Sequence, residues 1–262
     1  MAKYRSIVKI TGKVGDMQFS ERDGKSRINL AARIKEDPFK GHPRMKENAQ
    51  EFSGAATAAK ALRKSLEKVY KVFKDKNAGR RLFTLMKSIL NLGAGNRGER
   101  IVDFPTNGYN LQDLELNQVD KFANIFRGEI TTVVNADRNE IQVTIEDFHT
   151  VDDLSGPDFA THLKFVLAVG SLSNQNYVPT DDKYKSTNPS QDGLNNIEES
   201  APVAIGSMVG TNLVITAQLP GAPVLDPDVS LIAALGIQFL DFVNGQFYVL
   251  DSKNAMKIIE VA

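Results

Sequence analysis

Between Arg44 and about Lys74, apolar residues recur at alternating steps of three and four: Phe52, Ala55, Ala59, Leu62, Leu66, Val69 and Phe73. That spacing predicts one long helix with a single apolar stripe. Pro43 sits where a first helical turn would begin, a position at which a missing N–H costs little. A second helical pattern (Leu82, Leu85, Met86, Ile89, Leu92) follows Asn77–Gly79 and stops at Gly93-Ala94-Gly95. The two helices are expected to form an antiparallel hairpin, with Ala55 and Ala59 allowing close approach.

The pattern on either side has the period of strands. Residues 3–34 read as a β-meander: Lys3–Ile10, a turn at Gly12/Gly15, Val14–Ser20, a turn at Asp23-Gly24, and Ser26–Ile34. Lys35–Pro43 reads as an irregular connection. After residue 98, strands are expected near Arg100–Phe104, Gly128–Val134, Glu140–Phe148, His162–Leu172, Asn212–Leu219, Ile237–Val243, Gln246–Leu250 and Met256–Val261. Asn244-Gly245 is the clearest hairpin signal, because a type I′ turn needs positive φ at both central residues. Ser171–Ala201, poor in apolar residues, reads as a long surface excursion.

The class expected is α+β. A β-meander and helical hairpin occupy residues 1–98, and an antiparallel β-sandwich of immunoglobulin-like size, carrying the 171–201 loop, occupies residues 99–262. The chain has 262 residues, 42% of them hydrophobic, enough to bury a core in one large or two ordinary domains. It has no cysteine, which excludes disulfides and thiolate metal sites.

Charge divides the chain. The first hundred residues carry 24 Lys and Arg against 10 Asp and Glu; the rest carry 8 against 22. Lys60, Arg63, Lys64, Lys68, Lys71, Lys74, Lys76, Arg80 and Arg81 concentrate the positive part on the first helix and the link after it. Such a run is a candidate contact for self-association or for a polyanion, or else the solvated face opposite the apolar stripe.

Motifs for other chemistry have the wrong context. Gly93-Ala94-Gly95-Asn96-Arg97-Gly98 spells G-x-G-x-x-G, yet it follows a helix and precedes a strand, the reverse of a dinucleotide fingerprint, and reads as a helix end with a flexible link. His42, His149 and His162 have no metal-ligand spacing. Asp147, Asp152, Asp153 and Asp158 could hold a hard cation or form a solvated acidic loop, but the D-x-D-x-D-G pattern is absent. With no G-x-S-x-G elbow, P-loop or cysteine nucleophile, no enzyme activity and no cofactor are expected. The N-terminus lacks the apolar core of a signal peptide, and no stretch reaches a membrane span. The chain is expected to be cytoplasmic as synthesised, or part of a released particle.

Gly12-Lys13-Val14-Gly15-Asp16-Met17-Gln18-Phe19, Arg44–Phe52, Ala58–Arg63 and Gly98-Glu99-Arg100 resemble an uncharacterised bacterial family of hypothetical proteins, over less than half the chain. The resemblance implies a Gly-x-x-Gly-x-x-x-Phe hairpin followed by a basic helical segment, and no assigned activity.

Opposite charges of equal size on two parts of one chain can meet within a subunit or between neighbours stacked head to tail. The expected function is a structural, self-assembling subunit of a filament, tube or phage-like particle, its partners copies of itself. The alternatives are a nucleic-acid-binding module using the basic helix over residues 60–81, and an adhesion or ligand-binding sandwich using the 171–201 loop.

Overall fold

The computed structural model describes residues 2–3, 10–22, 24–30, 39 and 41–262. It divides into two compact units, Met1–Met45 and Lys46–Ala262. The class is α+β, with antiparallel strands throughout.

In the first unit, β1 (Ala2–Lys3), β2 (Gly12–Val14), β3 (Met17–Arg22) and β4 (Lys25–Leu30) form a sheet in the order β1-β4-β3-β2. The β2–β3 turn falls at Gly15-Asp16, with Gly15 at φ 56°, so Val14 ends one strand and Met17 begins the next. The expected Val14–Ser20 strand is therefore split, because glycine supplies the left-handed turn there. Residues 4–9 of the first expected strand, the Asp23 turn position, residues 31–34 of the third strand and most of the Lys35–Pro43 connection lie outside the described residues.

Helix α1 (Pro43–Ser65) begins at the proline, and α2 (Glu67–Phe73) and α3 (Ala78–Leu92) follow. The single helix expected to Lys74 breaks at Leu66, which sits at φ −113°, ψ 22°. Beside the break, the buried Ser65 hydroxyl lies 3.1 Å from its own helix at Ala61 O and 2.5 Å from Ser171 O on a strand. Back-bonding of a serine to residue i−4 bends helices, and here the sheet pulls on the same group. The apolar stripe is buried as expected from Ala55 to Phe73, but Phe52 is 61% exposed and stacks on Phe83 at 4.5 Å. Gly54 of α1 faces α3 with no room to spare: a Cβ there would stand 2.6 Å from Leu90 Cδ1 and 2.8 Å from the Tyr184 ring.

Two short helices, α4 (Phe104–Asn107) and α5 (Phe122–Ile125), and a 3-10 turn (Gly108–Leu111) lead into the strands. These are β5 (Ile130–Val134), β6 (Glu140–Ile145), β7 (His162–Ser173), β8 (Gln175–Val178), β9 (Lys183–Ser186), β10 (Asn195–Glu199), β11 (Val203–Ala204), β12 (Leu213–Gln218), β13 (Val229–Val243), β14 (Gln246–Val249) and β15 (Ala255–Val261). No strand forms over Arg100–Phe104. Val102 makes one bridge to Gln175, and Asp103 then caps α4 by accepting a hydrogen bond from the Thr106 N–H, with Pro105 in the first turn.

A six-stranded sheet is built on the long β7–β13 pair, with β10 and β11 beside β7 and with β14 and β15 beside β13. A three-stranded sheet, β12-β6-β5, lies against one face of it. Side chains of a strand alternate between faces. The odd positions of β7 and β13, among them Leu163, Phe165, Leu167, Leu231 and Leu235, share a core with Ile141, Val143, Ile145, Ile215 and Ala217 of the small sheet. The even positions, among them Val166, Ala168, Ile232 and Ala234, pack instead against Leu62, Leu66, Val69 and Phe73 of the first two helices and Met86 and Ile89 of α3. The second unit is thus three layers deep: helices, large sheet, small sheet.

This layering moves the expected boundary. The helices share a core with the large sheet, so the compact units part at Met45/Lys46 rather than at 98/99. Where α1 crosses β7, a Cβ at Gly170 would collide with the Ser65 carbonyl. The 171–201 segment is not a loop. Its first residues finish β7, β8 and β9 pair as a hairpin, and β10 joins the large sheet against β7. Its polar side chains hold the backbone: Ser173 N–H donates to Asp192 Oδ1 at 3.0 Å, and Leu194 N–H to Ser171 Oγ at 3.0 Å. Strand β13 begins at Val229, eight residues before the expected Ile237, because its first half is buried on both faces and shows no alternation. Asn244 and Gly245 stand at φ 53° and 82°, the two positive values of the expected hairpin turn.

Candidate basic face and its acidic counterpart

The buried positions of α1 and α2 fix which side chains point outward. With Ala58, Ala61, Leu62, Ser65, Leu66, Val69, Tyr70 and Phe73 buried, Lys60, Arg63, Lys64, Lys68, Lys71 and Lys74 fall on the exposed side. Lys60, Arg63, Lys64, Lys71 and Lys74 line one open groove of about 430 Å³, with Glu67 its one carboxylate and the Tyr70 ring in its wall. Lys74 Nζ lies 5.8 Å from the centre of that ring. Burial pushes the Tyr70 hydroxyl up, while Arg63 and Arg81 pull it down.

The other expected contact residues divide. Lys68 reaches towards β10, 3.4 Å from Asn196 Oδ1, and Lys64 donates to Asp192 O at 3.0 Å. Arg80 and Lys76 are exposed on the link and the start of α3. Arg81 is not available to a partner. Its guanidinium donates to both oxygens of Asp75, at 2.8 and 3.0 Å, and to Leu116 O at 3.0 Å, which pins the α2–α3 link to the chain before α5. The six-residue separation across a turn hides this pairing in the sequence.

Lys60 and Lys64 also border a second recess of about 380 Å³ with Tyr184, Lys185 and Asp192, all three from the segment expected to be a loop. Burial raises the Asp192 carboxyl, against the lowering effect of the Ser173 N–H and of Lys64. The glycine-rich link after α3 is held by Glu51, 3% exposed, which takes Lys87 Nζ at 2.5 Å, Arg100 Nη1 at 3.5 Å and the Gly98 N–H at 3.3 Å. Burial raises this carboxyl, but Lys87, Gly98 and Arg100 outweigh it and hold it below the usual carboxylate range. The link is therefore a helix end tied to the N-terminal part of a neighbouring helix.

Acidic residues gather on the opposite side of the large sheet. Residues 127–161 and 205–225, which carry the small sheet and its connections, hold eight Asp and Glu and two Arg, whereas α1–α3 with their links, residues 43–92, hold twelve Lys and Arg and four Asp and Glu. One of those two arginines, Arg138, donates to the carbonyls of Val229, Leu225 and Asp226 at 2.7–2.9 Å. Several of the acids organise turns. Asp147 Oδ1 accepts the Gly210 N–H at 2.6 Å, and Asp153 Oδ2 the His149 N–H at 2.9 Å. His149 Nδ1 lies 3.1 Å from Asp152 Oδ2. Among the described residues no group of three or more His, Asp or Glu is placed to hold a metal ion, and no helix is long and apolar enough to cross a membrane.

Among the described residues no ion pair joins the basic face to the acidic side. Comparison with known proteins finds no matching family model, no matching curated protein and no matching solved structure.

Proposed function

We propose that the protein is a structural subunit that assembles with copies of itself head to tail, into a filament, tube or phage-like particle, its basic helical face meeting the acidic side of the next copy. One observation supports this reading above the others: opposite charges lie on opposite faces of one sheet, with no ion pair between them among the described residues. Charges so placed cannot neutralise one another within the chain, but stacking brings them together, and a heterologous contact of that kind repeats. Complementary fields also steer the encounter and disfavour other registers.

Sedimentation velocity at about 50 mM and about 500 mM salt tests it, since the screening length shrinks from roughly 14 Å to roughly 4 Å between them. Large species at low salt that dissolve at high salt are expected. Lys60→Glu/Arg63→Glu/Lys71→Glu should abolish them, as should Glu129→Lys/Asp137→Lys. Mixing the two variants should restore head-to-tail contacts only as single pairs, because each retains one working face. A monodisperse monomer at low salt would end the proposal.

A second reading has its own observation, the groove holding five cations and a single carboxylate. Lys60 to Lys74 spans roughly 20 Å of helix at about 1.5 Å per residue, long enough for several phosphates of a nucleic acid. Gel retardation at about 50 mM salt decides it, with Lys64→Glu/Lys68→Glu/Lys71→Glu expected to weaken binding and flatten the salt slope. No retardation of DNA or RNA by the unaltered protein would dispose of it.

A further inference from the structure

The β13–β14 hairpin outruns the sheet that carries it. Pairing of β7 with β13 ends at His162↔Leu240, while β13 continues to Val243 and returns as β14. Strand β14 ends the strand order of the large sheet, and its outer edge has no strand partner among the described residues. The neighbouring edge is treated differently. The outer side of β15 is hydrogen-bonded by residues 113–116, through Asp113 N–H to Ile258 O, Leu116 N–H to Met256 O and Ile258 N–H to Leu114 O, at 2.9–3.1 Å.

Apart from its shortness, four residues, the open edge lacks the usual protection. Monomeric proteins blunt such edges with lysine, proline or a bulge. From Phe242 to Leu250 there is no charged residue and no proline, and the bulge on β13 lies away at Ala233/Ala234, opposite β15. Phe242, Phe247, Tyr248 and Val249 are 45%, 46%, 53% and 48% exposed. They occupy both faces: Phe242 stacks on Phe247 at 4.7 Å on one, and Tyr248 lies on the other.

Electrostatics selects the occupant. In a two-fold contact each residue meets the same patch of its copy, so the basic helical face and the acidic side each repel themselves. The hairpin from Phe242 to Leu250 carries no charge of its own, and the charged side chains that share a recess with Val249 are of both signs, Lys71, Lys74 and Lys253 with Asp120 and Asp251, so that repulsion is weakest here. Antiparallel pairing also matches a strand to its own two-fold image, donor to acceptor. We propose that β14 pairs with β14 of a second copy about a two-fold axis, joining the two large sheets edge to edge. This contact is independent of the head-to-tail one and would link stacks laterally.

Because the chain contains no cysteine, single substitutions report on it cleanly. Phe247→Cys or Tyr248→Cys should yield a disulfide-linked dimer on mild oxidation, whereas Val214→Cys, exposed on the small sheet, should not. Unaltered protein at about 500 mM salt, where charge contacts are screened, should sediment as a dimer. Phe247→Lys/Val249→Lys should turn it into a monomer with an unchanged circular dichroism spectrum and melting curve. A monomer at high salt without cross-linking, a dimer that survives the lysine pair, or capture of a foreign strand by an otherwise monomeric chain would each overturn the proposal. Salt-labile assembly would be untouched by any of these results, so the two contacts fail separately.

Discussion

Gly54 and Gly79 are both helical glycines in the same layer, yet their surroundings oppose each other. A methyl group at Gly54 would enter the space of Leu90 and the Tyr184 ring, while at Gly79 the nearest atom, the Tyr70 hydroxyl, is 3.9 Å away. Gly54→Ala is therefore expected to destabilise by about 1–3 kcal/mol through overpacking. Gly79→Ala should stabilise by about 0.5 kcal/mol through helix propensity and a less free unfolded chain. Urea denaturation of both variants checks the pair; equal signs would mean that the α1–α3 approach is looser than described. Titrating groups give a second prediction at this scale. Glu51 is held low, so its contribution is present above the ordinary carboxylate range and is lost as pH falls through its folded value. Asp192 is raised by burial, so its contribution is present at acid pH and is lost as pH rises through its folded value. The melting-temperature deficit of Glu51→Gln should thus be largest near neutrality and shrink towards acid pH. Asp192→Asn should gain on the unaltered protein as pH rises from acid to neutral.

At the scale of elements, the junction of α1 with β7 is closed by backbone. Gly170 has no room for a Cβ because the obstacle, the Ser65 carbonyl, is backbone that cannot rotate away. Gly170→Ala is expected to cost about 3 kcal/mol, more than Gly54→Ala, whose obstacles are side chains. A midpoint shift in urea larger than that of Gly54→Ala is the result that supports this. Much of the framework was legible beforehand: β5, β6 and β12 alternate in the sequence because one face of the small sheet is solvated, and Asn244-Gly245 marks its turn by the φ values it must adopt. The first half of β13 was not legible, since burial on both faces erases alternation. Strands β8 to β10 were missed because their polar side chains serve backbone groups rather than a core. The candidate site divides in the same way. The outward spacing of Lys60 to Lys74 follows from helical period alone, whereas the capture of Arg81 by Asp75 and the gathering of acids behind the large sheet depend on topology, which no local pattern carries.

At the scale of the whole molecule, charge and packing make separate claims on the same helices. Their outer side is the basic face, and their inner side covers one face of the large sheet, so the helices cannot be separated from the strands without uncovering Val166, Ala168, Ile232 and Ala234. Among the described residues, the buried apolar members of both cores lie at or after Ala55. A chain shortened to residues 46–262 is therefore expected to unfold in one cooperative transition, with a melting temperature close to that of the full chain. One shortened to residues 99–262 should aggregate or bind a hydrophobic dye, because it exposes a sheet face built for burial. Calorimetry and dye fluorescence on the two fragments separate the possibilities: a cooperative, dye-negative 99–262 fragment would show that the small-sheet core alone suffices, and that the helical layer is an addition to the fold rather than one of its walls.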